Sequence, residues 1–286
     1  MRSGVTWGPA EQEALDRCLS VPGLSARLEA REAPRRLSRM IETEIIPRLL
    51  LTHIAEPEEG TVPQPALTPA DVRDFTRIVL EDEVAGVLSY AGAIREAGHS
   101  LEDVFLHLLG PTARLLGDMW AADLCSFTDV TIGLSRLQQV LRDLSPSFED
   151  EDRLHVRGRI LLASVPGEQH SFGLSMLESF FRRAGWDVSG GGAHDRNELL
   201  RLAREERFDA IGLSLSSDVL YEPVRALIPA LRAASKNRSV LMMVGGRYFV
   251  DHPDHATLIG ADVAASDAPD ALRRADACLG FDLARC

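Results

Sequence analysis

Cysteine is scarce in this chain: Cys18, Cys125, Cys278 and Cys286 are the only four in 286 residues, and no two form a CxxC pair. That argues against a structural zinc site and against a disulfide framework, and leaves free thiols in a reducing compartment as the expectation. Long hydrophobic runs are also missing. No stretch approaches the roughly 20 apolar residues that span a bilayer, and the opening residues MRSGVTWGPAEQEALDRC hold no apolar core of signal-peptide length. A cytoplasmic protein without membrane contact is expected. Positive charge is in deficit, with 31 Lys and Arg against 43 Asp and Glu, a net charge of -12. A duplex binder usually shows a basic face, so broad nucleic-acid binding by the whole chain is disfavoured; a local basic patch or a DNA-binding partner stays open. What remains is ordinary globular material, 45% hydrophobic and 26% charged, long enough for one or two domains with real cores.

Three regions follow one another. Residues 1–66 form an accessory region. Arg27, Arg31, Arg35, Arg36 and Arg39 make a basic stretch, Ile45-Ile46-Pro47-Arg48-Leu49-Leu50-Leu51 an apolar patch, and the proline- and glutamate-rich segment 55–69 an extended linker. Residues 67–150 read as a helical bundle. Thr68-Pro69-Ala70-Asp71, Ser100-Leu101-Glu102-Asp103 and Ser126-Phe127-Thr128-Asp129 each place a hydroxyl at a helix start with an acid three residues on. Behind these caps, Leu101, Val104, Phe105, Leu108 and Leu109 make one apolar stripe, continued by Leu115, Leu116 and Met119. Val130, Leu134, Leu137, Leu141 and Leu144 make another, and helices with single stripes must pack on each other.

Residues 154–286 change character. Candidate strands at 160–165, 186–189, 210–216, 240–245 and 263–266 alternate with helical stretches near 173–184, 195–206, 222–234 and 269–279. The expected fold is therefore α + α/β: a helical bundle cap followed by a doubly wound, Rossmann-like, five-stranded parallel sheet. Its ligand site should lie beyond the C-terminal strand ends.

The first of these strands runs into Pro166-Gly167-Glu168-Gln169-His170-Ser171-Phe172-Gly173 and then a helix, which puts His170 on a loop at the ligand end. Neutral imidazole is a good transition-metal ligand, and Glu168 is placed to hold its other ring nitrogen. Gly173 lets the backbone pass close to something bulky. A solvent-facing histidine is the plainer reading of such a residue taken alone. Further on, Gly212-Leu213-Ser214-Leu215-Ser216-Ser217 and Val244-Gly245-Gly246 end two strands in small residues, which makes a narrow slot with hydrogen-bonding walls. Gly190, Gly191 and Gly192 after the 186–189 strand either admit the edge of a ligand or form an ordinary turn. His252 and His255 flank a loop that reads as a solvated turn more readily than as a metal site.

This pattern resembles the cobalamin-binding domain family. Glu168-x-His170-x-x-Gly173 stands where the family has Asp-x-His-x-x-Gly. Ser214 and Gly245-Gly246 fall at the family's distances beyond it, and Ser216 replaces a leucine. The resemblance implies hydroxo- or adenosylcobalamin bound base-off, with His170 as the lower axial ligand and the displaced base beside Ser214, Ser216, Gly245 and Gly246. In photoreceptor-type members the bundle carries a tryptophan over the upper face, matched here by Trp120. A Glu-His pair follows at fixed spacing; here Val130 and Thr131 stand in those places, so a light-formed bis-histidine state is not expected. Plain bundle core is the other reading of Trp120.

The segment 116–138, LGDMWAADLCSFTDVTIGLSRLQ, with Ile45-Ile46-Pro47-Arg48-Leu49-Leu50 upstream, is similar to the AerR/PpaA-type antirepressors of photosynthetic bacteria. That similarity implies a light-responsive transcription regulator and photoreceptor, not an enzyme, acting through a PpsR/CrtJ-type repressor. The accessory region is then a candidate partner surface or a plain arm. Two alternatives stay open: a corrinoid shuttle protein of a methyltransferase, and a haem-binding sensor, since imidazole ligates iron as well as cobalt.

Overall fold

The computed structural model describes residues 66–150, 157–191 and 194–281. The basic stretch, the apolar patch and most of the linker read over residues 1–66 lie outside the described residues.

The three expected caps all form. The Thr68 N–H donates to Asp71 Oδ2 at 2.8 Å, the Ser100 N–H to Asp103 Oδ2 at 3.0 Å and the Ser126 N–H to Asp129 Oδ2 at 2.9 Å, while each hydroxyl oxygen accepts the acid's own N–H. These reciprocal bonds satisfy donors that a helix start leaves free. They open α1 (Pro69–Glu81), α3 (residues 101–121) and α4 (Phe127–Asp150); α2 (Val84–Glu96) lies between the first two. Within α3 the winding widens to a π-helical turn over Val104–Leu109. Pro111 has no N–H to give the His107 carbonyl, so the helix is re-closed by the Gly110 N–H reaching back to Phe105. Both apolar stripes read from the sequence face the bundle core, where Phe105, Leu108, Leu116 and Leu137 are fully buried.

The second half is a five-stranded, all-parallel sheet of order β2-β1-β3-β4-β5: β1 Arg159–Ser164, β2 Asp187–Gly190, β3 Ala210–Ser214, β4 Leu241–Gly245 and β5 Val263–Ala264. Helix α5 (Phe172–Arg183) follows β1, α6 (Arg196–Glu205) follows β2 and α7 (Tyr221–Ala234) follows β3. The short α8 (Arg247–Asp251) and α9 (Asp254–Leu258) follow β4, and α10 (Ala268–Leu279) follows β5. The period of two sorts the strands' side chains. Leu161, Ile211, Leu213, Met242 and Val244 face a core shared with α6 and α7, whereas Ile160, Leu162, Ala210 and Met243 face α5 and α10. Among the described residues no helix is long and apolar enough to cross a membrane.

The bundle is welded to the α/β domain along α4 and α5. Phe148 lies 4.6 Å from Phe105 and 4.8 Å from Phe180, ring centroid to centroid, so one aromatic cluster spans both halves. Around it, Ser145 and Ser179 share a 2.9 Å hydrogen bond, Arg183 Nη1 donates to Glu102 at 2.9 Å, and the Arg183 guanidinium covers the Phe148 ring. Phe148→Ala should therefore cost about 3–5 kcal/mol, as large cavities in a fully buried aromatic cluster do. A chemical-denaturation midpoint measures it, and a loss below about 1 kcal/mol would show that the two halves are not held there.

Candidate functional site

In the sheet order β2-β1-β3, the chain leaves β1 toward one side and β3 toward the other, and the crevice above these two strand ends is where open α/β sheets bind ligands. Glu168 closes that crevice from below. Its side chain is 2% exposed. Oε1 accepts the Gln169 N–H at 2.9 Å, the His170 N–H at 3.1 Å and, at 2.5 Å, pairs with His170 Nδ1. Oε2 reaches across to the loop after β3 and accepts the N–H groups of Ser216 at 2.7 Å and Ser217 at 3.2 Å. One carboxylate thus ties together the two loops that flank the crevice.

This carboxylate also explains why β3 stops at Ser214, two residues before the end read from the sequence: the Ser216 and Ser217 N–H groups go to Glu168 and not to a strand ladder. Burial pushes the Glu168 pKa up, but the Ser216 and His170 N–H groups and the His170 ring outweigh it, so the group titrates below its ordinary value and is a carboxylate at neutral pH.

A carboxylate on Nδ1 keeps the proton there, which leaves the Nε2 lone pair of His170 able to act as a ligand. The imidazole is 71% exposed, so Nε2 is held in orientation without being covered. Gly173 opens α5 just beyond. A Cβ there would meet nothing within 4 Å, so the protein's own packing does not require the glycine, and the bare backbone leaves room for a bulky neighbour.

The small residues expected to line a slot come together at the strand ends on the α5/α10 side of the sheet: Ser164 of β1 pairs with Ser214 of β3, which pairs with Gly245 of β4, and Ser216 follows two residues beyond β3. The hydroxyls of Ser164, Ser214 and Ser216 donate no hydrogen bond to any described residue, so three polar groups line this face unused. Ser164 was not singled out from the sequence, because a serine at the end of Leu161-Leu162-Ala163 reads as strand filler until the pairing sets it beside Ser214. Gly246 adopts φ +96°, and a Cβ on it would lie 2.4 Å from the Leu215 carbonyl oxygen. Gly246→Ala should therefore lower stability by at least about 1–2 kcal/mol through the left-handed backbone alone; a thermal melt unchanged from wild type would contradict this geometry.

The other residues read from the sequence sort themselves as follows. Trp120 is 51% exposed, not plain bundle core, and meets the 69%-exposed Phe127 edge-on at 6.2 Å, so the α3–α4 turn presents an apolar face. Val130 points into the bundle core, and the exposed Thr131 hydroxyl donates to the Phe127 carbonyl at 2.7 Å. One helical face further along α4, Gln138 Nε2 reaches Ser171 Oγ at 3.5 Å, linking the bundle to the residue beside His170. Gly190 is the last residue of β2 and Gly191 follows it, both at positive φ. A Cβ on Gly190 would overlap the Leu162 carbonyl, and one on Gly191 would press on the Glu178 carboxylate, so backbone packing explains both; Gly192 lies outside the described residues. His255 is held by the Tyr248 hydroxyl at 2.7 Å with His252 stacked on it, and no group of three or more metal-ligating side chains occurs among the described residues. Cys125 and Cys278 are free thiols, and Cys18 and Cys286 fall outside the described residues.

A histidine held by a buried carboxylate at the switch point, beside strand ends of small residues with unused hydroxyls, is an arrangement whose donor set fits a metal-centred ligand. Comparison with known proteins agrees. Residues 158–276 match the B12 binding domain. The chain is 30% identical over 174 residues, 60% of its own length and 90% of the relative's, to a 20.5 kDa protein in the bchF–crtJ intergenic region of Rhodobacter capsulatus. It is 28% identical over 138 residues, 48% of its length and 62% of the relative's, to dimethylamine corrinoid protein 1 of Methanosarcina acetivorans. The monomethylamine corrinoid protein of Methanosarcina barkeri shares the fold, with a TM-score of 0.62 and 17% identity, over 74% of this chain and 99% of that one. The chain belongs to the B12-binding domain family, and within it to the group of the Rhodobacter bchF–crtJ intergenic protein.

Proposed function

We propose that this protein is a cobalamin-dependent, light-responsive transcription regulator, an antirepressor that acts on a PpsR/CrtJ-type repressor in the cytoplasm and carries out no catalysis of its own. The observation that carries this reading is the match along 90% of the bchF–crtJ intergenic protein, longer than the B12-binding domain stretch alone. When bound, the corrinoid would supply a light-sensitive metal centre. His170, oriented by Glu168, would hold the metal, and Ser164, Ser214, Ser216, Gly245 and Gly246 would hold the cofactor's nucleotide base. Trp120 and Phe127 give the bundle an apolar face able to respond to the upper side, and Gln138 carries a shift of α4 to the His170 loop.

Such a switch moves a partner only if the two ligand states differ in their affinity for two conformations of the bundle. The expected result is that repressor binding differs between apo, dark holo and illuminated holo protein, read by fluorescence anisotropy. The same repressor affinity in all three would end the regulatory reading. The dimethylamine corrinoid relatives favour a second reading, a methyl-group shuttle. Methyl transfer to the reduced cofactor from a methylamine-type donor system, assayed directly, supports that reading in place of the first.

A further inference from the structure

Backbone N–H groups on a loop beyond a strand end ordinarily turn to water. The segment 214–217, which carries Ser214 and Ser216, is held differently. The Leu215 N–H donates to the Gly245 carbonyl at 3.0 Å, and the Ser216 and Ser217 N–H groups donate to Glu168 Oε2 at 2.7 and 3.2 Å. The Ser214 carbonyl accepts the Val165 N–H at 3.0 Å, and the Leu215 carbonyl accepts the Tyr248 N–H at 3.2 Å. Three consecutive donors are thus satisfied inside the protein, two of them by a side chain that is 2% exposed. A second tie joins the same two loops: Leu220 Cδ2 lies 3.4 Å from the point where a Cβ on Gly167 would stand. Length decides which side chain can make the first tie. Glu168 Oε1 is engaged by Gln169 and His170 at 2.5 to 3.1 Å while Oε2 reaches the far loop. Aspartate is shorter by one C–C bond, about 1.5 Å, enough to lose Ser216 and Ser217 when the bonds to His170 are kept.

We propose that Glu168 sets the tail side of the site before any ligand arrives: through it the segment 214–217 already holds its binding arrangement, and the site favours corrinoids that carry a nucleotide over those that lack one. The choice of ligand rests on the cobalamin reading; the arrangement of the loop rests on the bonds to Ser216 and Ser217. A residue fixed beforehand spares the complex the backbone entropy of ordering it. That gain falls to the part of the ligand that meets this segment, and not to the macrocycle. Glu168 is then a positioning residue twice, for the His170 ring and for the loop after β3.

The test measures amide hydrogen exchange of the full chain, resolved at Ser216 and Ser217 by NMR, without ligand and with hydroxocobalamin, for wild type and Glu168→Asp. The same proteins are titrated with hydroxocobalamin and with aquocyanocobinamide, which lacks the nucleotide. In the ligand-free wild type both amides should exchange at least about 100-fold more slowly than in an open chain. In Glu168→Asp they should exchange at least about 10-fold faster than in wild type, and hydroxocobalamin should slow them again. The variant's loss of affinity should be about 10-fold greater for cobalamin than for cobinamide, the scale of ordering one residue during binding. Wild-type amides that exchange as in an open chain until cobalamin is added would overturn the proposal. So would equal losses for the two corrinoids, because the carboxylate would then act through His170 alone. If the aspartate variant does not fold, the wild-type exchange with and without ligand decides by itself. Protected amides in a wild-type protein that binds neither corrinoid would overturn the cofactor reading, a result distinct from the other two.

Discussion

His170→Ala is expected to lower cobalamin affinity by more than the roughly 10- to 100-fold that losing an outer partner of a metal ligand costs, and to shift the absorption spectrum of what still binds. The loss follows from the division of labour at the crevice. Glu168 occupies Nδ1 and the loop backbone, so Nε2 is the atom His170 offers, and nothing on the same loop can replace it: Gln169 and Ser171 flank it with weaker, neutral oxygen donors. The imidazole is largely exposed, so its removal leaves no cavity and should barely move the thermal midpoint. Weakened binding with an unchanged melt is the signature of a ligand; a lowered melt with intact binding would make His170 a structural residue. Titration and calorimetry on the same preparation read both.

Glu168→Gln should give the second largest effect, a 10- to 100-fold loss of cobalamin affinity together with a measurable loss of stability. The carboxylate accepts from five N–H groups on two loops, whereas an amide has one acceptor oxygen and turns an NH2 toward donors. Buried donors left without acceptors cost about 1–3 kcal/mol each where water cannot reach them. The pH dependence has a definite sign. The folded pKa of Glu168 is depressed, so its contribution is present above the unperturbed glutamate value, about 4.3, and is lost as pH falls through the folded value. Stability of the wild type should thus fall more steeply than that of Glu168→Gln below about pH 4.3, and the two curves should run parallel at neutral pH. Parallel curves throughout would mean that folding does not shift the Glu168 pKa, against the network of donors around it.

The α/β half was legible because parallel strands are buried on both faces and read as short apolar runs; each lies within a residue or two of its expected place. The bundle was legible through its caps, which are local and repeat three times. The site was legible where it is also local: Glu168 and His170 are two residues apart, and the contact between the carboxylate and a ring nitrogen was expected. What was not legible depends on distant pairing. The reach of Glu168 to Ser216 and Ser217 crosses 48 and 49 residues, and it shortens β3. The longer glutamate at this position, where the family has aspartate, is the residue that makes both sets of bonds here. Ser164 gains its meaning only from its pairing with Ser214, and Gln138 only from the docking of the bundle. Gly190 and Gly191 were ambiguous in the sequence because a glycine needed by a ligand and one needed by a neighbouring carbonyl look alike until the carbonyl is located.

The most direct measurement is electron paramagnetic resonance of the cob(II)alamin-loaded protein made with 15N-labelled histidine and unlabelled cofactor. An axial nitrogen from His170 should split the high-field lines into doublets, where the unlabelled protein shows triplets. Triplets that persist in the labelled protein would show that the cofactor's own base still holds the metal, and the account of His170, its carboxylate and the slot beneath it would be wrong.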